Sequence, residues 1–142
     1  MKLWQLFSLG RQALWLAEQV SKQTGGQHVL AFDDRVGKAL ADRGHRVTKL
    51  DRAAAIEIEV GSLDGVCFDA LDEESDPIAR VRAALHAVRP GGYVLAAVQT
   101  PLGGDHAASA KLAAIFLHAG LAELRQERRR GLLLTSGRLR RS

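Results

Sequence analysis

Residues 63–98 read LDGVCFDALDEESDPIARVRAALHAVRPGGYVLAAV. Residues 65–69 are a short, mostly apolar run, the pattern of a buried strand, and it ends in an acidic stretch of Asp69, Asp72, Glu73 and Glu74. Asp76-Pro77 opens a helix, because proline's missing N–H is no loss in a first turn. Ile78, Val81, Leu85 and Val88 recur at helical spacing as its buried stripe. Pro90-Gly91-Gly92 signals a turn, and residues 93–98 are a second apolar strand. Strand, loop, helix, turn and strand in this order belong to the alternating α/β proteins.

The pattern extends in both directions. Upstream, residues 28–32 form an apolar strand, Asp33-Asp34 cap a helix over 35–43, and Gly44 stops it. Residues 46–50 are a strand ending at Asp51. This strand–helix–strand unit predicts parallel pairing with a right-handed crossover. Ile56, Ile58 and Val60 alternate with Glu57 and Glu59, which predicts a half-exposed strand over 53–60. Residues 3–22 read as an amphipathic helix ended by Thr24-Gly25-Gly26. Its expected buried stripe is Leu3, Leu6, Phe7, Ala13, Leu14, Ala17 and Val20, with Trp4 and Trp15 on another side beside Ser8, Arg11 and Glu18. Downstream, residues 105–118 are a helix with Leu112, Ile115 and Phe116 inward, closed by Gly120. Residues 121–127 and 132–138 then form an antiparallel hairpin. The expected architecture is a three-layer α/β sandwich, with an N-terminal helix over 1–24 and an α/β domain over 25–142 in one compact unit.

Composition sets the outer bounds. A chain of 142 residues, 46% apolar and 25% charged, has enough surface to bury for a core without staples. Cys67 is the sole cysteine, so no disulfide framework exists and a reducing, cytoplasmic setting is expected. No run of about 18 apolar residues is present to span a membrane, and Gln5, Ser8, Arg11, Gln12 and Glu18 interrupt the first segment, against a secretory signal. The net charge of +4 is uneven. Arg125, Arg128, Arg129, Arg130, Arg138, Arg140 and Arg141 crowd the last segment, while Asp64, Asp69, Asp72, Glu73, Glu74 and Asp76 lie in the middle. A basic end admits a nucleic-acid partner. No aromatic residue interleaves with these arginines, so a solvated tail is the stronger reading.

The 63–98 stretch, with Arg89-Pro90-Gly91-Gly92-Tyr93 leading into a strand, resembles the second half of a class I S-adenosylmethionine (SAM)-dependent methyltransferase. Ala119-Gly120-Leu121 is similar to that family's Ala-Gly-Phe before its terminal strand pair. Val29-Leu30 and residues 43–51 resemble its first two strands. The resemblance implies a mostly parallel Rossmann-like sheet with the C-terminal hairpin antiparallel. It also implies a cofactor site over the strand ends, with Asp51 matching the acidic residue that bonds the ribose hydroxyls. The departures are local. Where the family has acidic-x-Gly-x-Gly-x-Gly, residues 31–37 read AFDDRVG, with a single glycine. The 51–63 segment is also too short for the family's further helix and third strand.

These departures lead to the expectation of a methyltransferase-like protein without catalysis, acting as a protein-binding or assembly module and holding no cofactor. The alternative is an active small methyltransferase that binds SAM through an unusual loop. Asp51, Asp33 and Asp69 are the candidate cofactor residues. Asp33-Asp34 reads more strongly as a helix cap than as a metal or phosphoacceptor pair. The five histidines lack zinc-type spacing, and Cys67 reads as a core residue. No residue stands out as catalytic. Trp4 and Trp15 with Arg11 are candidate anchors for a protein partner or a second copy, with packing under the sheet as the competing role.

Overall fold

The computed structural model describes residues 3–23, 27–100 and 106–140. Strand alternation builds its two cores. Val29 and Ala31 of β1 (His28–Ala31) face one side and Leu30 the other. The same division separates Cys67 from Val66 and Phe68 in β3 (Leu63–Phe68), and Leu95 and Ala97 from Val94, Ala96 and Val98 in β4 (Val88–Gln99). Both faces of the central strands are therefore apolar, as in a sheet covered by helices on each side.

One six-stranded sheet results, in the order β2-β1-β3-β4-β6-β5, with β2 (Arg46–Lys49), β5 (Leu121–Arg129) and β6 (Leu132–Leu139) completing it. β2, β1, β3 and β4 pair in parallel; β6 runs antiparallel to both β4 and β5. The helices α1 (Leu3–Ser21) and α2 (Asp34–Asp42) cover one face, and α3 (Pro77–Leu85) and α4 (His106–Ala119) the other. This is the expected three-layer α/β sandwich with its C-terminal antiparallel hairpin.

Local signals set the helix ends as expected. Asp33 caps α2 and Asp76 caps α3, with Pro77 in the first turn. Gly44, at φ +85°, turns the chain after α2. The Thr24-Gly25-Gly26 stop lies outside the described residues.

Three expectations need correction. No strand forms over 53–60. The segment joins the end of β2 to the start of the parallel strand β3, so it is spent on crossing the sheet; Ile56 and Ile58 pack on the core and Val60 is exposed. Pro90-Gly91-Gly92 is not a turn between elements. It lies inside β4, at a bulge where the register with β3 shifts and Gly91 adopts φ +80°. Finally, α1 packs on the sheet by only part of its expected stripe. Ala13, Ala17 and Val20 are buried as expected, with Gln12 and Leu16 beside them, whereas Leu3, Phe7 and Leu14 are 69%, 64% and 59% exposed. Trp15 is also buried, at 3% exposure, under the Arg129 guanidinium 4.8 Å from its ring centroid. It is a packed residue rather than a presented anchor.

Candidate functional site

In open parallel sheets, ligands bind beyond the carboxyl ends of the strands. Here β1 leaves the sheet at Ala31 and α2 begins at Asp34, so Phe32 and Asp33 are the whole connection. Asp33 Oδ2 accepts from the backbone N–H of Arg35 at 3.0 Å and of Val36 at 3.3 Å. The first donors of α2 are thus answered by its own cap. Gly37 lies within α2, and a Cβ added there would meet only Val47 at an ordinary 3.8 Å, so no close approach requires glycine.

Arg52, just past β2, reaches back over this edge. Its guanidinium bonds the Asp69 carboxylate at the end of β3 and lies 3.8 Å from Asp33 and 3.9 Å from Glu73. The Asp69 side chain is 4% exposed. Burial raises its pKa above the usual carboxylate range, Arg52 pulls it down, and the Asp33 charge raises it again; the net direction is up. The Asp69 main-chain carbonyl is held too, accepting from Gln12 Nε2 of α1 at 2.7 Å, and the same nitrogen donates to the Ala97 carbonyl of β4.

A second arginine fixes the segment carrying Arg52. Arg80 of α3 donates to the carbonyls of Ala54 at 2.7 Å and Arg52 at 2.9 Å, and sits over the Phe32 ring at 5.0 Å. Phe32 in turn stacks on Phe68, with centroids 5.1 Å apart. The hollow over the strand ends, about 380 Å³, is lined by Gln12, Asp33, Arg35, Arg52, Asp69 and Asp72 among others. It is polar and strongly charged.

The structure therefore joins two of the three candidate cofactor residues: Asp33 and Asp69 share Arg52. Asp51 stands apart, exposed, with its Oδ1 accepting from the Ala53 N–H at 3.3 Å. Asp34 is outside the hollow, paired with Lys49, whose hydrogen bond and charge hold its carboxyl below the usual range. No group of three or more His, Cys, Asp or Glu that could hold a metal occurs among the described residues. Of the other candidates, Arg11 bonds Ser8 and the Arg130 carbonyl, each at 3.3 Å, and the Trp4 side chain lies outside the described set. Arg52 and Gln12 were not singled out by sequence. A cation next to Asp51, near two acidic strand ends, is the signal that points to Arg52. Gln12 has none, because its partners are 57 and 85 residues away.

No family model matches the chain, and no curated protein sequence matches it. Solved structures do. A Burkholderia thailandensis 1,6-didemethyltoxoflavin-N1-methyltransferase, crystallised with 1,6-didemethyltoxoflavin and S-adenosylhomocysteine, superposes with TM-score 0.73 at 16% identity, over 98% of this chain and 81% of its own. The fold is that of the class I SAM-dependent methyltransferases. A SAM-dependent methyltransferase from Archaeoglobus fulgidus gives TM-score 0.71 at 11% identity, over 96% of this chain and all of its own. The Haloferax volcanii complex of the Trm112 methyltransferase activator with its candidate methyltransferase gives 0.64 at 14%, over 92% and 91%. No helix among the described residues of the methyltransferase-like chain is long and apolar enough to cross a membrane.

Proposed function

We propose that this methyltransferase-like protein is non-catalytic and serves as a protein-binding or assembly module. The observation that carries the reading is Arg52, laid across Asp33 and Asp69 where the fold would present a cofactor. SAM brings a cationic sulfonium and a cationic ammonium beside a single carboxylate. The two carboxylates that could answer those cations, Asp33 and Asp69, are already taken up by the Arg52 guanidinium. The two-residue β1–α2 connection offers no glycine-lined backbone, and its helix-start donors serve Asp33. These residues do not fit SAM.

A partner protein follows the same reading, supported by the fold likeness to a chain found with an activator. A cytoplasmic setting is part of it, supported by the lone, unpaired Cys67. Calorimetric titration with SAM and with S-adenosylhomocysteine is the test. No binding heat is expected, and micromolar affinity for either would overturn the proposal. One feature favours the alternative of an active small methyltransferase: Asp51 is exposed at the end of β2, free to meet ribose hydroxyls. That reading requires Asp51→Ala to abolish SAM binding.

A further inference from the structure

The exposed side of α1 carries an ordered apolar line. Leu3, Phe7, Gly10 and Leu14 are spaced 4, 3 and 4 residues apart, the a/d spacing by which one helix packs along another. Leu3, Phe7 and Leu14 are each more than half exposed, and a Cβ added at Gly10 would meet nothing within 4 Å. The line is therefore open, with a gap at Gly10 where a partner's side chain can seat. Apolar residues this large, aligned on a helix already packed by its other face, have no role in the fold.

One flank of the line is basic. Arg11 lies one turn beyond Phe7, and its guanidinium reaches the Arg130 carbonyl at the tip of the β5–β6 hairpin. Arg128, Arg129 and Arg130 run into that tip. Between helix and hairpin is a groove of about 400 Å³, lined by Arg11, Leu14, Trp15, Arg129, Arg130 and Leu132 among others. Glu18, the carboxylate in the groove, is taken up by Arg129 at 3.2 Å. The Trp15 indole lines the groove with its Nε1 buried and without an acceptor among the described residues.

We infer that this face of α1 receives an acidic amphipathic helix from a partner protein. The partner's apolar side chains lie along Leu3, Phe7 and Leu14, and its carboxylates meet Arg11 and the hairpin tip. A second copy of the chain fits less well. An antiparallel twofold pairing keeps the same flank of each helix on the same side, so it sets one arginine tip against the other. A membrane surface also fits less well, because the apolar line is narrow rather than a broad face. The inference rests on the reading of the chain as a binding module, but its test is separate. SAM binding would end the non-catalytic reading and leave this surface standing, and failure here would leave the SAM titration untouched.

The probe is a synthetic three-heptad peptide with Leu at a and d and Glu at e and g, compared with the same peptide carrying Lys for Glu. Fluorescence anisotropy with the full chain should show binding of the acidic peptide only, weakening as salt rises. Phe7→Asp and Leu14→Asp, both at exposed positions, should each weaken it by about tenfold or more. Circular dichroism checks that they fold. Arg11→Glu with Arg130→Glu should shift preference toward the Lys peptide. Equal binding of both peptides, binding of neither, or affinity unchanged in the folded Asp variants would overturn the inference. So would a dimer in sedimentation that Phe7→Asp dissociates, or binding to phosphatidylserine vesicles with no preference for the acidic peptide.

Discussion

The Arg52 guanidinium bonds the Asp69 carboxylate across the carboxyl edge of the sheet, and the two differ sharply in exposure: 45% for the Arg52 side chain against 4% for Asp69. A buried carboxylate needs a counter-charge, and one from a solvated arginine is inexpensive because only the anion is fully desolvated. Asp33 shares the same cation at 3.8 Å. One arginine thus spans two carboxylates at the edge where open parallel sheets bind ligands.

Arg52→Met should cost about 1–3 kcal/mol near neutral pH, less than a fully buried pair because the arginine is half solvated. The pH dependence has a definite sign. Asp69 has a folded pKa above its unfolded value, so its ionised form opposes folding above that pKa, and the penalty is relieved as pH falls through it. Removing Arg52 raises the pKa further and enlarges the penalty at neutral pH. Urea unfolding should therefore show a deficit near pH 7 that shrinks as pH falls through the raised Asp69 value. A deficit that is flat with pH would assign the loss to packing.

Asp64, at the other end of β3, should behave in the opposite way. Burial works to raise its pKa, but the His28 backbone N–H at 2.7 Å and the Arg89 guanidinium at 2.7 Å outweigh it and hold the carboxyl below the usual range. Its stabilisation is present above the unfolded pKa and is lost as pH falls through the depressed folded value. Asp64→Asn should cost about 1–2 kcal/mol near pH 7, with the difference from wild type shrinking in acid as pH falls through the depressed Asp64 value. Thermal unfolding of both proteins across that range is the measurement.

The residues that sequence resolved are those whose cause is local. Asp33, Asp76-Pro77 and Gly44 act within one helical turn, so the local sequence alone places them. The central strands were legible because both their faces are apolar. α1 was not, because it carries two apolar faces: one packs on the sheet through Leu16 and Val20, and the other carries Leu3, Phe7 and Leu14. Periodicity cannot rank two stripes on one helix. The alternation at Ile56, Ile58 and Val60 misled for a related reason, since a strand needs a neighbour and that segment has to cross between strands. At the site, Asp33 and Asp69 were identified, but the arginine joining them depends on a fold-back that no local pattern encodes.

Gln12 offers a test of how α1 is fastened. Its amide nitrogen is the donor to two carbonyls from different strand ends, Asp69 and Ala97, and the residue is 2% exposed. Gln12→Leu keeps the volume but leaves both carbonyls without that buried donor. The expected loss is about 1–3 kcal/mol, against little change for an apolar swap such as Leu16→Met on the same face. Hydrogen exchange should show α1 opening at lower free energy than β4 in the Gln12 variant. Uniform destabilisation of the whole chain would mean that α1 and the sheet unfold as one unit.

Gly65 and Tyr93 are directly opposite in the β3–β4 register, and one side of the phenol ring occupies the space a Cβ on the glycine would take. A Cβ at position 65 would fall inside contact distance of the Tyr93 ring, whose hydroxyl donates to Gln27 Oε1 at 3.1 Å and is buried. The ring cannot yield without breaking that bond or distorting the sheet, so Gly65→Ala should destabilise by about 3 kcal/mol through overpacking. Tyr93→Leu removes the obstructing ring edge and should make the alanine tolerable. The double variant Gly65→Ala with Tyr93→Leu should then be less unstable than the sum of the single changes, as measured in a double-mutant cycle. Simple additivity would show that the glycine is needed for its backbone and not for the ring above it.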